Sequence, residues 1–449
     1  MTTAAVVSSS AARRFANPQL NALGETDRPV HDWYRFVLSY PPHLVRDYLG
    51  RFGAEAGATV LDPFCGTGTT VVECKKLGIG SVGIEANPLA HFASSVKTIW
   101  AANGKALRRN ASALAEKIGD ALLREGYPDD DCHPLFTKAR RGNGKRAALR
   151  DLPEAARALL LENSISPIPL HKVLTLLEGI AAEPRASQPY ERLALAKALV
   201  GPIGNLHFGP EVGVGPPKPD APVISLWLEQ VEKIAADLEA FAGLNTGNAI
   251  VHHADARSLG ALIPPRSLDA VITSPPYPNE KDYTRTTRLE SVLLGFIHDK
   301  AGLKAMKQLL LRSNTRNVFK GDGDDVWVKD NARVQAIAEA IEARRIELGK
   351  TSGFEKNYAR VTRHYFGGMA RHFAELKPLL KPGAKLAYVV GDQASYLRVM
   401  IRTGQLLAEI AEAQGYRVLG IDLFRTRLAT ATREQLREEV VLLEWPGEK

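Results

Sequence analysis

Leu44, Val45, Tyr48 and Leu49 recur at the spacing of one helix face, which predicts an amphipathic helix between His31 and Gly53. A short apolar run, Ala58-Thr-Val-Leu61, then reads as a strand, broken by the polar, glycine-rich stretch Asp62-Pro-Phe-Cys-Gly-Thr-Gly-Thr-Thr70. Helical spacing returns from Val71 to Leu77, followed by a second apolar run, Ser81-Val-Gly-Ile84, ending at Glu85. Strand, glycine loop, helix and strand in so short a span form a βαβ unit, and such units build parallel sheets.

Beyond Ala101 the period changes. Leu107 to Glu125 and Leu226 to Phe241 repeat apolar residues at helical intervals, and Gly209 to Pro219 reads as a loop. Strand patterns reappear at Ala249–Val251 and Leu268–Thr273, and a mostly helical stretch occupies 288–360. The end returns to α/β: a helix to Leu380, the turn Lys381-Pro-Gly383, a strand over Leu386–Val390, then a helix and two strands finishing near Trp445. The expected organisation is a leader over 1–30 and an α/β core in three pieces, 31–100, 246–287 and 361–449. Two helical insertions, 101–245 and 288–360, interrupt it.

Composition narrows the class without naming it. A chain of 449 residues with 45% hydrophobic and 24% charged side chains is an ordinary globular protein, neither collagen-like nor wholly disordered. Cys65, Cys74 and Cys132 form no CxxC pair, so neither a disulfide framework nor a structural zinc site is expected. No apolar run reaches the ~18 residues of a membrane helix, so no membrane partner and a cytoplasmic location are expected. The excess of 58 Lys and Arg over 50 Asp and Glu gives a net charge of +8, which permits a polyanionic partner without requiring one.

Chemistry concentrates in two loops. In Asp62-Pro-Phe-Cys-Gly-Thr-Gly68 two glycines one residue apart follow a strand, where they allow a tight turn and close approach of a ligand. The third glycine of a dinucleotide fingerprint and the Lys-Ser/Thr of a phosphate loop are both missing, so neither NAD nor ATP is favoured. Glu85, ending the next strand, is placed to take the two hydroxyls of a ribose. Together these suit a nucleoside ligand such as S-adenosylmethionine. The second loop, Thr273-Ser-Pro-Pro-Tyr-Pro278, also follows a strand. Its consecutive prolines hold the backbone extended and remove two amide donors, leaving carbonyls, a hydroxyl and an aromatic face for a ligand.

DPFCGTGTT followed by TSPPY resembles the DNA amino-methyltransferases, which methylate the exocyclic amine of cytosine (N4) or adenine (N6). The resemblance covers the three core pieces, about half the chain, and implies a doubly wound, mostly parallel, Rossmann-like methyltransferase sheet. It implies that Asp62, Pro63, Phe64, Gly66, Gly68 and Glu85 bind S-adenosylmethionine. Phe36 and Tyr40, in the preceding segment, and Asp255, in His253-Ala-Asp-Ala256, join them. It further implies that Ser274, Pro275, Pro276 and Tyr277 are catalytic, acting on a base flipped out of duplex DNA. Serine at the head of SPPY is associated with cytosine N4, where DPPY is associated with adenine. A restriction-modification setting, with a separate cognate endonuclease, follows from the habit of the family.

Three further readings complete the expectation. None of the cysteines follows a proline, which argues against methylation at cytosine C5. The run Lys138 to Arg150 carries six basic residues and no acid. Lys138, Arg140, Arg141, Lys145 and Arg146 are therefore candidates for phosphate contact, with Arg285 beyond the second loop. Asp282, Tyr283, Arg285 and Arg288 either line the channel for the flipped base or cap a helix. No histidine pair has metal-site spacing, and Gly321-Asp-Gly-Asp-Asp325 fails the calcium-loop pattern, so no metal is expected.

Overall fold

A computed structural model describes residues 22–36, 39–129, 146–182, 185–208, 212–279, 281–428 and 435–448. Its centre is a seven-stranded sheet: β1 (Thr59–Asp62), β2 (Gly80–Glu85), β3 (Ala249–His253), β4 (Leu268–Thr273), β5 (Leu380–Gly391), β6 (Arg417–Leu428) and β7 (Gln435–Trp445). The strand order is β3-β2-β1-β4-β5-β7-β6. β1 to β5 run parallel, and β7 pairs antiparallel with both β5 and β6. The expected doubly wound, mostly parallel sheet is therefore present.

Alternation along the strands assigns the two faces. Val60, Ala270, Ile272, Ala387, Val389, Val440 and Leu442 face one layer, holding α1 (Pro42–Phe52) and α2 (Thr69–Lys76). Leu61, Val271, Leu386, Tyr388, Val390, Val441 and Leu443 face the other. That layer holds α10 (Ala332–Glu347), α11 (Tyr358–Leu376) and α12 (Thr403–Glu412). Near-continuous burial of the strands on both sides is what a parallel sheet with helices on each face requires.

A third core lies beside α3 (Pro88–Lys97). There α4 (Gly104–Glu125), α5 (Pro167–Ala181), α6 (Gln188–Ala198) and α7 (Val223–Ala240) pack around Leu176, Leu193, Trp227 and Ile234, all buried. Two short helices, α8 (Arg288–Leu293) and α9 (Lys300–Leu309), follow β4.

Three local expectations change. α3 carries a strong start signal, Asn87 capping Leu89 and Ala90 with Pro88 in the first turn, which the strand-centred reading passed over. The Lys381-Pro-Gly383 turn does not break the chain: it is absorbed as an irregularity in β5, with Gly383 at φ +84°. Within the expected 209–219 loop, Val212–Val214 pairs with Leu206–Phe208 as a small antiparallel ribbon, because Val212 finds a place in the helical core.

Candidate active site

In open α/β sheets ligands bind outside the carboxyl ends of the strands, where the strand order reverses. Here that place lies between β1 and β4, which are paired through Val60 with Ala270 and Leu61 with Val271. The glycine loop leaves the end of β1 and the SPPY loop leaves the end of β4, so the sheet register sets the two loops side by side. They open into one cavity of about 540 Å³.

Phe36, Tyr40, Pro63, Phe64, Gly66, Glu85 and Asp255 line this cavity together with Ser274, Pro275, Pro276 and Tyr277. Glu85 and Ser274 are 189 residues apart in sequence, and β1–β4 pairing sets their loops side by side, while β2–β3 pairing brings Asp255 to the same strand ends. Gly66 holds φ +54°, and a Cβ built there would meet nothing within 4 Å, so its backbone borders open space. Glu85 accepts hydrogen bonds of 2.7 Å from the Gly66 and Asn87 N–H groups. Burial pushes its pKa up to about 7, against the pull of those two donors. One lone pair on each oxygen is left for a ligand donor, so the loop and the carboxylate fit the ribose of an S-adenosyl group.

Asp62 and Gly68 stand behind the wall. The Asp62 carboxylate is fully buried and accepts from Tyr40 Oη at 2.9 Å, Thr273 Oγ1 at 2.6 Å and the Phe64 N–H at 3.2 Å. Burial raises its pKa to about 6, opposed by these donors. Gly68, at φ +89°, precedes α2; a Cβ there would lie 3.1 Å from Ser94 Cβ, so the missing side chain lets the loop pack on α3.

On the second loop, Ser274 Oγ donates to the Val389 carbonyl at 3.0 Å. With its proton committed to β5, the hydroxyl offers lone pairs to the cavity. The Tyr277 ring lies against the backbone of Gly391, where a Cβ would come within 2.9 Å of it. Asp255 faces the cavity but is already bound by Arg257, whose Nε and Nη2 reach it at 2.9 and 2.7 Å. Phe64 is held from behind by the buried His372 ring, 5.2 Å away between centroids. His372 donates through Nδ1 to the Ala256 carbonyl and accepts from the Tyr388 hydroxyl, and burial drives its pKa down to about 4.

The structure adds walls that motif reading missed. Leu309 at the end of α9, with Leu310, Leu311 and Asn314 beyond it, closes one side, and Phe424, Arg425, Arg427 and Glu438 of the β6–β7 ribbon close another. Their only sequence signal is the alternation of arginines along a predicted strand. Asp282 and Tyr283 also line the cavity. Asp282 additionally caps the short helix Tyr283–Thr286 and pairs with Lys307 at 2.9 Å. Arg285 lies on that helix and Arg288 begins α8; neither lines the cavity. Arg146 lies over the Tyr127 ring, 5.6 Å from its centroid, and is likewise not a lining residue. Lys138, Arg140, Arg141 and Lys145 lie outside the described residues. Among the described residues no cluster of His, Cys, Asp and Glu could hold a metal, and no helix is long and apolar enough to cross a membrane.

Fold and cavity thus define a doubly wound core in which a glycine loop and a proline-rich loop share one cavity at the strand ends. Residues 21–93, which contain the glycine loop and Glu85, match the N6_N4_Mtase family model, described as DNA methylase. The chain is similar to Type II methyltransferase M.BsoBI of Geobacillus stearothermophilus, 26% identical across 94% of this chain and 86% of that protein. Type II methyltransferase M.AvaI of Anabaena variabilis is 21% identical across 97% of this chain and 90% of its own length. M.MjaII of Methanocaldococcus jannaschii is 36% identical over a shorter stretch, 16% of this chain and 14% of that protein. These similarities support a place among the amino-methyltransferases.

Proposed function

We propose that this protein is an S-adenosylmethionine-dependent DNA methyltransferase acting on the exocyclic amine of a flipped-out base, with cytosine N4 the favoured target. The observation that carries the reading is the Ser274–Val389 hydrogen bond of 3.0 Å. It turns the serine into an acceptor beside a nucleoside site, and an exocyclic amine is a donor that needs acceptors. The match to a family model described as DNA methylase supplies the DNA context, and the similarity to Type II methyltransferases supports the expected setting with a separately acting endonuclease as partner.

S-adenosylmethionine, when bound, supplies an electrophilic methyl group on a sulfonium. The protein's own residues do the rest. Glu85 holds the ribose hydroxyls, Gly66 leaves room for close approach, and Phe36, Tyr40, Phe64 and Asp255 complete that half of the cavity. Tyr277 stacks on the extruded ring, replacing part of the stacking lost from the duplex. Ser274 Oγ and the Pro275 carbonyl accept from the amine and fix its orientation, so that its lone pair faces the methyl donor. Positioning of this kind supplies much of the acceleration without a covalent intermediate.

Of the two insertions that are candidates for target recognition, 101–245 and 288–360, we favour the second. It contributes Leu309 to Leu311, Asn314 and Asn317 to the cavity, whereas no described residue between 101 and 245 lines it.

The test is incubation with methyl-labelled S-adenosylmethionine and duplex DNA, followed by digestion to nucleosides. Label in N4-methylcytosine is the expected result. Label in N6-methyladenine moves the target to adenine, label only with RNA moves the substrate, and no transfer to any nucleic acid overturns the enzymatic reading.

A further inference from the structure

The β6–β7 ribbon outruns the sheet it belongs to. Pairing of β7 with β5 ends at Glu438 opposite Gly391, while β6 and β7 continue together through Arg427–Leu436 and Leu428–Gln435. Arg425 and Arg427 are two residues apart, so they share one face of β6, and Glu438 stands directly across from Arg425. Its carboxylate takes Arg425 Nε at 2.5 Å and lies 3.6 Å from Arg427 Nε. Arg425 is therefore hydrogen-bonded at Nε and Arg427 ion-paired at longer range, so one carboxylate draws both guanidinium groups together. Three charges in one cluster sum to +1, and all three residues border the cavity.

We propose that Arg425 and Arg427 form a clamp for the phosphodiester backbone of the strand whose base enters the cavity, with Glu438 a positioning residue. The inference rests on the DNA methyltransferase reading and deepens it. A planar pair of N–H donors matches two phosphate oxygens, the bidentate geometry that arginine favours. The position fits the nucleic acid rather than the cofactor. Glu85, at the end of β2, is four strands away from β7, roughly 19 Å at ~4.8 Å per strand. Tyr277, by contrast, lies against Gly391, the residue paired with Glu438. The clamp thus stands next to the loop that would receive the base.

The experiment is fluorescence anisotropy of a labelled duplex against salt concentration, for the wild type, Arg425→Gln, Arg427→Gln and the double variant. Calorimetry of S-adenosylmethionine binding runs in parallel. Each lost arginine should reduce the slope of log affinity against log salt by about 1, with affinity down about tenfold in the double variant. Cofactor affinity should stay within about twofold. Arg427→Lys, which keeps the charge at a half-exposed position, should restore the slope. An unchanged slope, a loss of sequence preference without a slope change, or an equal loss of cofactor affinity would each overturn the clamp. Failure of the wild type to bind duplex DNA would instead sink the DNA reading itself, before any variant is compared.

Discussion

Thr273 Oγ1 donates to Asp62 Oδ1 across 2.6 Å, and by that bond the residue before the SPPY loop is tied to the residue that opens the glycine loop. The two loops are thereby fixed relative to one another at their roots, inside the core, where no ligand reaches. Tyr40 completes the arrangement from the other side of the same carboxylate. Thr273→Val keeps the shape and deletes the donor. A buried acceptor that loses a partner costs about 1–3 kcal/mol, so the denaturant midpoint should fall accordingly. Turnover should fall more than cofactor affinity, because the serine loop moves while Glu85 stays; equal losses would mean that the bond only supports the fold.

The pH behaviour of cofactor binding follows from Glu85. Its pKa, raised by burial from an ordinary 4.5 to about 7, means that folding favours the protonated form of the free protein. The group's contribution to stability is therefore full below about 4.5 and is lost as pH rises through about 7. Ribose hydroxyls prefer the ionised form, which keeps two acceptors. Cofactor affinity should accordingly rise with pH through about 7, opposite in direction to the stability trend. Calorimetric titrations between acidic and mildly alkaline pH check this. Glu85→Gln should weaken binding and flatten the profile.

Tyr277 and Ser274 separate stacking from amine acceptance. Tyr277→Ala removes a base–aromatic contact of about 1–3 kcal/mol, so activity should drop about tenfold to a hundredfold with cofactor affinity nearly intact. Ser274→Ala should lower kcat with little change in KM for DNA, since the acceptor matters most as the nitrogen reacts. Steady-state kinetics with both substrates varied distinguish the two outcomes. A parallel fall in cofactor affinity for either variant would make it a folding defect.

Lys97 holds the glycine loop from beneath. Its buried ammonium donates to the carbonyls of Thr67 at 2.7 Å, Tyr34 at 3.2 Å and His31 at 3.3 Å. Among the described residues no carboxylate pairs with it, and desolvation lowers its pKa to about 7. Lys97→Met removes the charge and all three donors. KM for S-adenosylmethionine should rise several-fold while kcat at saturating cofactor changes little.

Much of this was readable in order along the chain. The apolar runs of β1, β2 and β4, the loops at their ends and the helix after β1 are local patterns, and local patterns survive folding because they reflect backbone geometry and burial period. Glu85 and Tyr277 could be singled out for the same reason: each sits at a fixed offset from a strand end. What sequence alone could not decide is which distant segments meet. Asp62 looks like a ligand contact from its place in the motif, yet the register of β1 against β4 turns it inward to Tyr40 and Thr273. Arg425, Arg427 and Asn314 carry no motif, and only the closing of the β6–β7 ribbon and of the segment after α9 over the strand ends brings them to the cavity. Types of residue and local spacing set the chemistry on offer. The pairing of strands far apart in sequence, driven by burial of both sheet faces, decided which of those residues share one site.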